Sequence, residues 1–106
     1  MASEVFRVEL TMEITDGHEE EFEQAWLAVG QVVAEHPANL AQWFSRDTEH
    51  HGRYVIISDW PDEETFRQFE KEPGHWELTG RLRALRKSGS MTTMTVLRHL
   101  VGAGAQ

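Results

Sequence analysis

The chain has 106 residues, a net charge of −8 and no cysteine. Its length fits one modest domain, and a hydrophobic share of 40% is enough for a core. The lack of cysteine excludes disulfides and thiolate chemistry, and the acidic balance argues against nucleic acid as a partner. No apolar stretch predicts a membrane span, and the N-terminus lacks a signal-peptide pattern, so we expect a cytoplasmic protein.

Two periodicities predict a strand and then a helix in the first third of the chain. Apolar and polar side chains alternate over residues 5–14, which is the pattern of a strand with one buried face. Asp16 and Glu19 then fit a capping box. Apolar residues spaced by three or four predict a helix from 17 to about 35, which ends before Pro37.

The middle of the chain predicts a strand pair followed by a helix. Residues 40–46 and 54–60 are rich in apolar and aromatic side chains, and a polar segment with Gly52 separates them. Pro61 ends the second of these strands, and Asp62 can cap the helix that follows.

The last third predicts a helix, a turn and a final strand. Pro73 and Gly74 break the second helical region, which resumes from about 75 to 86. Ser88-Gly89-Ser90 predicts a turn, and residues 91–101 predict the last strand. We expect one domain over residues 1–101 and a flexible tail over 102–106.

The resulting order, β-α-β-β-α-β, predicts an α+β fold of the ferredoxin-like type. It places helices on one face of a four-stranded antiparallel sheet and leaves the other face uncovered. Because the last strand has apolar residues on both faces, we expect the uncovered face to pack against a second copy of the chain.

Several segments resemble the antibiotic biosynthesis monooxygenase family over most of the chain. They are Gly17–Phe22 (GHEEEF), His36–Leu40 (HPANL), Tyr54–Trp60 (YVIISDW), Asp62–Phe66 (DEETF) and Pro73–Trp76 (PGHW). The resemblance implies a homodimer whose two sheets close into an α/β barrel, with a pocket between sheet and helices in each subunit.

The same resemblance implies a chemistry without cofactors. The family's oxygenases use no metal, flavin or haem, and their partners are a polycyclic aromatic substrate and dioxygen. An electron-rich phenol or anthrone is deprotonated, its carbanion reduces dioxygen by one electron, and the caged radicals recombine. The protein binds the flat ring, stabilises the oxyanion and excludes water.

Three residues are the candidate catalytic groups. Trp60 matches a pocket tryptophan of the family's polyketide oxygenases, but Ile56 stands where those enzymes have an asparagine, and the chain's only asparagine is Asn39. His75 matches a general acid/base of the family's polyketide cyclases, and histidine changes protonation near neutral pH. Tyr54, the only tyrosine, is a candidate to orient or protonate an enolate.

Five further residues are candidates for substrate binding: Trp43, Phe44, Trp76, Arg7 and Phe69. Trp43 and Phe44 should point to opposite faces of their strand, so that one enters the pocket and the other the interface between sheets. Arg7 would be a cation for an anionic substrate if its face lines the barrel interior.

Three functions stay open at this point, and we predict no metal site. The first is a cofactor-independent monooxygenase, the second a cyclase that uses His75 for aldol-type ring closure, and the third a non-catalytic binding partner in a biosynthetic complex. The adjacent His50 and His51 fit exposed loop residues, because neighbours on a loop point apart. Haem degradation is disfavoured because the first strand lacks the asparagine of the family's haem-degrading enzymes.

Overall fold

The computed structural model describes residues 4–105 and confirms the ferredoxin-like order, with the second helical region broken. The elements are β1 (Val5–Ile14), α1 (Glu19–Ala34), β2 (Ala41–Arg46), β3 (Arg53–Trp60), α2 (Glu63–Glu70), α3 (His75–Leu78), α4 (Gly80–Leu85), β4 (Arg86–Val96) and a short 3-10 turn (Ala103–Ala105). Residues 1–3 of the predicted domain and Gln106 of the predicted tail lie outside the described residues.

The strands form one antiparallel sheet in the order β2-β3-β1-β4. Within one chain this sheet is open, and the helices cover one of its faces. Residues directly opposite each other in an antiparallel ladder share a face. Leu10 pairs with Ile56 and Met91 on the side of the helices, which we call the helix-covered face. Arg7 pairs with Asp59 on the other side, the open face.

The core lies between the helix-covered face and the helices. Alternate residues of β1 are buried there, as the period of two predicts. The helices contribute one apolar stripe each, because only one side of each helix meets the sheet. Their buried apolar residues are Phe22, Ala25, Val29, Val33, Phe66, Phe69, Leu82 and Leu85.

One predicted helix cap is confirmed and one is wrong. Asp62 caps α2, and its carboxylate accepts a hydrogen bond from the Thr65 backbone N–H at 2.7 Å, which lowers the pKa of Asp62. The N-cap position of α1 is instead His18, which makes no capping hydrogen bond through its side chain. The carboxylate of Glu19 accepts from the Gly17 backbone N–H at 3.1 Å, so Asp16 does not close a capping box.

The last strand differs from its prediction at both ends. The predicted turn over Ser88-Gly89-Ser90 is wrong, because these residues pair with β1 and the strand already begins at Arg86. Ladder hydrogen bonds with a central strand therefore override the low β-propensity of serine and glycine. The strand ends at Val96, which pairs with Val5, because β1 begins there and offers no further partner.

None of the helices within residues 4–105 is long and apolar enough to cross a membrane.

Candidate active site

A cavity of about 220 Å³ lies between the helix-covered face and the helices. Most of its walls are apolar, and they come from β1, β3, α1, α2 and α4. The polar side chains among its lining residues are few: Gln42, Ser58, Glu70, His75, Thr79, Arg83 and Arg86. An apolar cavity with a few polar groups is the usual form of a small-molecule site.

Trp60 forms an aromatic wall of this cavity together with Phe69. The Trp60 side chain is only 1% exposed, and its ring centroid lies 4.6 Å from that of Phe69. Its indole N–H donates a hydrogen bond to the Ser58 hydroxyl oxygen at 2.9 Å. The Ser58 O–H remains able to donate to a ligand, since a hydroxyl both accepts and donates.

His75 enters the cavity wall from the break between α2 and α3. Gly74 adopts φ +89°, a conformation that favours glycine, and the His75 backbone N–H donates to the Glu72 carbonyl at 3.1 Å. The imidazole meets the edge of Phe69, with centroids 4.9 Å apart. Its Nδ1 atom is buried and has no hydrogen-bond partner. A buried polar atom without a partner is rare and leaves a position that a ligand can satisfy.

The amide expected of a polyketide oxygenase is absent from this wall. Ile56 lines the cavity on the same strand face as Trp60. Asn39 donates instead to the backbone carbonyls of Ala41 and Asp59, away from the cavity lining.

Sequence reasoning missed two polar groups of the cavity. Ser58 has a detectable signal, because it lies two residues before Trp60 and alternation puts both side chains on one face. Gln42 follows from the same rule only once the register of β2 with β3 is known, since it pairs with Ser58. Its amide N–H donates to the Gly30 carbonyl at 2.9 Å, which holds the side chain across to α1.

Tyr54 lies outside the cavity lining although it shares the strand face of Trp60. Its side chain is 2% exposed, and its hydroxyl donates to a Glu23 carboxylate oxygen at 2.6 Å. Burial, followed by the hydrogen bond to Glu23, raises the pKa of Tyr54 to about 12. The structure therefore does not bring Tyr54 together with His75.

Phe44 and Trp76 also lie outside the cavity lining. Phe44 does face the helices, where it stacks between Trp26 and Tyr54 at centroid distances of 4.4 and 5.4 Å. Trp76 is 69% exposed, and the Arg83 guanidinium lies 3.3 Å from the centroid of its ring.

Arg7 and Trp43 are on the open face, opposite to the cavity. Arg7 makes two hydrogen bonds to the Asp59 carboxylate, at 2.8 and 2.9 Å. Its guanidinium lies 5.2 Å from the centroid of Trp43, which is 45% exposed. The charge of Arg7 is thus already balanced within the chain, and Trp43 takes the outward position of the pair Trp43 and Phe44.

Two other places hold histidines without forming a comparable site. A shallower hollow of about 540 Å³ also borders His75, but exposed residues form much of it, and there His36 Nε2 lies 2.9 Å from a Glu72 carboxylate oxygen. His51 is exposed in the loop between β2 and β3, near Glu19. Residues 4–105 contain no cluster of three metal-binding side chains.

Fold and cavity together define a ferredoxin-like α+β protein with an aromatic small-molecule site. The family model for antibiotic biosynthesis monooxygenases matches residues 5–78. The chain therefore belongs to the antibiotic biosynthesis monooxygenase family. No curated protein matches the sequence closely enough to count as a relative.

Solved structures agree with this family. SnoaB, a cofactor-independent oxygenase from Streptomyces nogalater, is similar with a TM-score of 0.78 and 26% identity, over 93% of this chain and 98% of that one. Its asparagine-to-alanine mutant gives a TM-score of 0.79, with the same identity and coverage. A putative family member from Deinococcus radiodurans has a TM-score of 0.79 at 16% identity, covering 93% and 99% of the two chains, and shows the fold alone.

Proposed function

We propose that this protein is a cofactor-independent monooxygenase that oxidises a fused-ring phenol or anthrone with dioxygen. The observation that carries the proposal is the buried, unpartnered Nδ1 of His75 in the wall of an aromatic cavity. Membership of the family and the similarity to SnoaB support the reaction class. The substrate belongs to the aromatic polyketides, for which the family resemblance is the support.

The size of the cavity limits the substrate. Its volume of about 220 Å³ is below the roughly 300–1,000 Å³ of sites for drug-sized ligands. We therefore propose two or three fused rings rather than four. The face of such a ring would pack against Trp60 and Phe69, which already contact each other.

In the proposed mechanism His75 removes a proton from the substrate. The resulting carbanion gives one electron to dioxygen, and the substrate radical and superoxide combine into a peroxide. Protonation and loss of water leave a carbonyl, so that an anthrone and dioxygen give a quinone and water. The Ser58 hydroxyl, held by the Trp60 N–H, is the donor that we place at the substrate oxygen in the role of the absent amide.

Oxygen consumption tests this proposal. Metal-stripped protein is mixed with anthrone in an oxygen electrode, and the product is analysed by mass spectrometry under labelled dioxygen. We expect enzyme-dependent uptake and one labelled oxygen in the quinone. His75→Ala should lower the rate by about 100-fold or more, whereas the exposed His51→Ala should not. Absence of uptake with anthrones and naphthols, or full activity of His75→Ala, contradicts the proposal.

A cyclase is the second candidate, and Ile56 is the observation that favours it. Ring closure by an aldol-type reaction needs a base at a carbon acid but no asparagine amide beside Trp60. His75 would remove a proton next to a carbonyl in the same cavity. Loss of water from a linear poly-β-ketone analogue without oxygen, abolished by His75→Ala, would establish this function. Tight binding of aromatic ligands without either reaction would instead favour the non-catalytic binding partner.

We also propose that the open face pairs with a second copy of the chain. It presents Trp43, Val55 and Ile57 beside the balanced pair of Arg7 and Asp59. Apolar surface next to a satisfied ion pair is typical of an interface between subunits. Such pairing would close the two open sheets into the α/β barrel that the family resemblance implies.

A further inference from the structure

We propose that Arg86 is an anion-binding residue of the cavity, so that the preferred ligand is an aromatic ring that carries a carboxylate. This inference deepens the proposed function, because it rests on the same cavity and names the charge of its substrate. Arg86 is the first residue of β4 and lines the cavity. Three observations carry the proposal: the pairing of the chain's arginines, the shape of β4, and the other charges of the cavity.

Arg86 differs from most arginines of the chain in its lack of a partner. Those that lie against a carboxylate are Arg7, Arg46, Arg53, Arg67 and Arg81. Within residues 4–105, Arg86 forms no ion pair and no side-chain hydrogen bond. The contrast is informative, because 18 acidic residues offer partners to only 10 basic ones. A guanidinium stays charged at all physiological pH values and gains most from a carboxylate.

The shape of β4 turns Arg86 toward the cavity. Ile14 pairs with Arg86 but Glu13 pairs with Ser88, so the ladder slips by one residue and leaves Lys87 extra. In a regular strand, residues 86 and 89 would point to opposite faces. The slip puts both on the helix-covered face, since Gly89 pairs with Met12 of that face. Such bulges re-aim side chains and are frequent next to active sites.

Gly89 provides the space that the Arg86 side chain occupies. A Cβ atom at position 89 would lie 2.6 Å from Nη1 and 3.2 Å from Cζ of Arg86. The guanidinium therefore lies across the bare backbone of the glycine. Alanine at this position would displace the flexible head of Arg86, and would keep its charge.

The other charged residues of the cavity are already engaged. The Glu70 carboxylate accepts from the Arg67 guanidinium at 3.1 Å. The Arg83 guanidinium donates to the Trp76 carbonyl at 2.5 Å and stacks on the Trp76 ring. Arg86 is thus the charge that a ligand is free to balance, and a carboxylate matches its planar fork with two parallel hydrogen bonds.

The test compares two ligands of the same shape, 2-naphthoate and the neutral 2-naphthamide, by isothermal titration calorimetry. The wild-type protein should bind naphthoate about tenfold more tightly, although its net charge of −8 repels anions. Arg86→Gln should abolish this preference, and Gly89→Ala should reduce it. Arg98→Gln is the matched control, because it removes the same charge from an exposed arginine outside the cavity lining, and it should keep the preference.

The outcomes separate this inference from the proposed function. Equal binding of the two ligands by the wild-type protein, or an equal loss of preference in Arg98→Gln and Arg86→Gln, overturns the anion site and leaves the aromatic cavity intact. An unchanged preference in Gly89→Ala overturns the position given to the guanidinium. If neither ligand binds, the aromatic site itself is wrong and both proposals fail.

Discussion

The two faces of the sheet are built from the same strands but differ in how their polar groups are satisfied. On the open face, Arg7 and Asp59 hold each other through two hydrogen bonds. On the helix-covered face, His75 Nδ1 has no partner and Arg86 forms no ion pair within the described residues. Because an unsatisfied buried polar group costs free energy, it persists where a ligand or a function compensates for it. The difference places ligand chemistry under the helices.

The largest expected effect is on stability, and it belongs to the helix-covered face. Trp60→Ala removes a buried ring that contacts Phe66 and Phe69. We expect the free energy of unfolding to fall by about 3–5 kcal/mol, at every protein concentration, as measured by urea denaturation. A loss below about 1 kcal/mol would contradict the packing described for this wall.

The corresponding tryptophan of the open face should affect association instead. Trp43→Glu places a charge in the proposed interface between two copies, and its like charges would repel across it. We expect the dissociation constant of the dimer to rise by at least about tenfold, as measured by sedimentation velocity. Gln31→Glu, at an exposed position of α1, is the control for the added charge. A wild-type protein that stays monomeric would contradict the proposed pairing.

A smaller effect concerns Tyr54, which lies beneath α1 rather than in the cavity. As the only tyrosine, it dominates the phenolate absorbance change, and we expect a midpoint near its raised pKa of about 12. In the unfolded chain the midpoint should return to about 10. The stability that Tyr54 contributes is therefore present below pH 10 and is lost as the pH rises through 12.

The variant Tyr54→Phe completes this test. It removes the hydrogen bond to Glu23 and should cost about 1 kcal/mol at neutral pH, while the fall in stability between pH 10 and 12 becomes shallower. A wild-type midpoint near 10 would mean that the hydroxyl is exposed in solution.

Most of the fold could be predicted from the sequence, because each regular element has a clear period. Alternation over residues 5–14 and the helical spacing after Gly17 both correspond to the observed elements. The start of β4 could not be predicted, since Ser88 and Gly89 favour turns and only their pairing with β1 makes them a strand. Local propensity gives no information about a partner that lies 70 or more residues away in the chain.

The candidate site was less predictable than the fold. Alternation assigns Tyr54 and Trp60 to one face, but it does not tell which helix covers each, and α1 separates Tyr54 from the cavity through Glu23. The face of Arg7 depends on the sheet packing as a whole. Arg86 had no sequence signal, because its direction follows from a one-residue slip in the ladder.

The most direct test of the central claim is a crystal structure of the protein with 2-naphthol bound. The account predicts the ring in the helix-covered cavity, against Trp60 and Phe69, with its hydroxyl within hydrogen-bond distance of His75 Nδ1 or the Ser58 hydroxyl. A ring stacked on Trp43 at the open face, with the cavity empty, would contradict it.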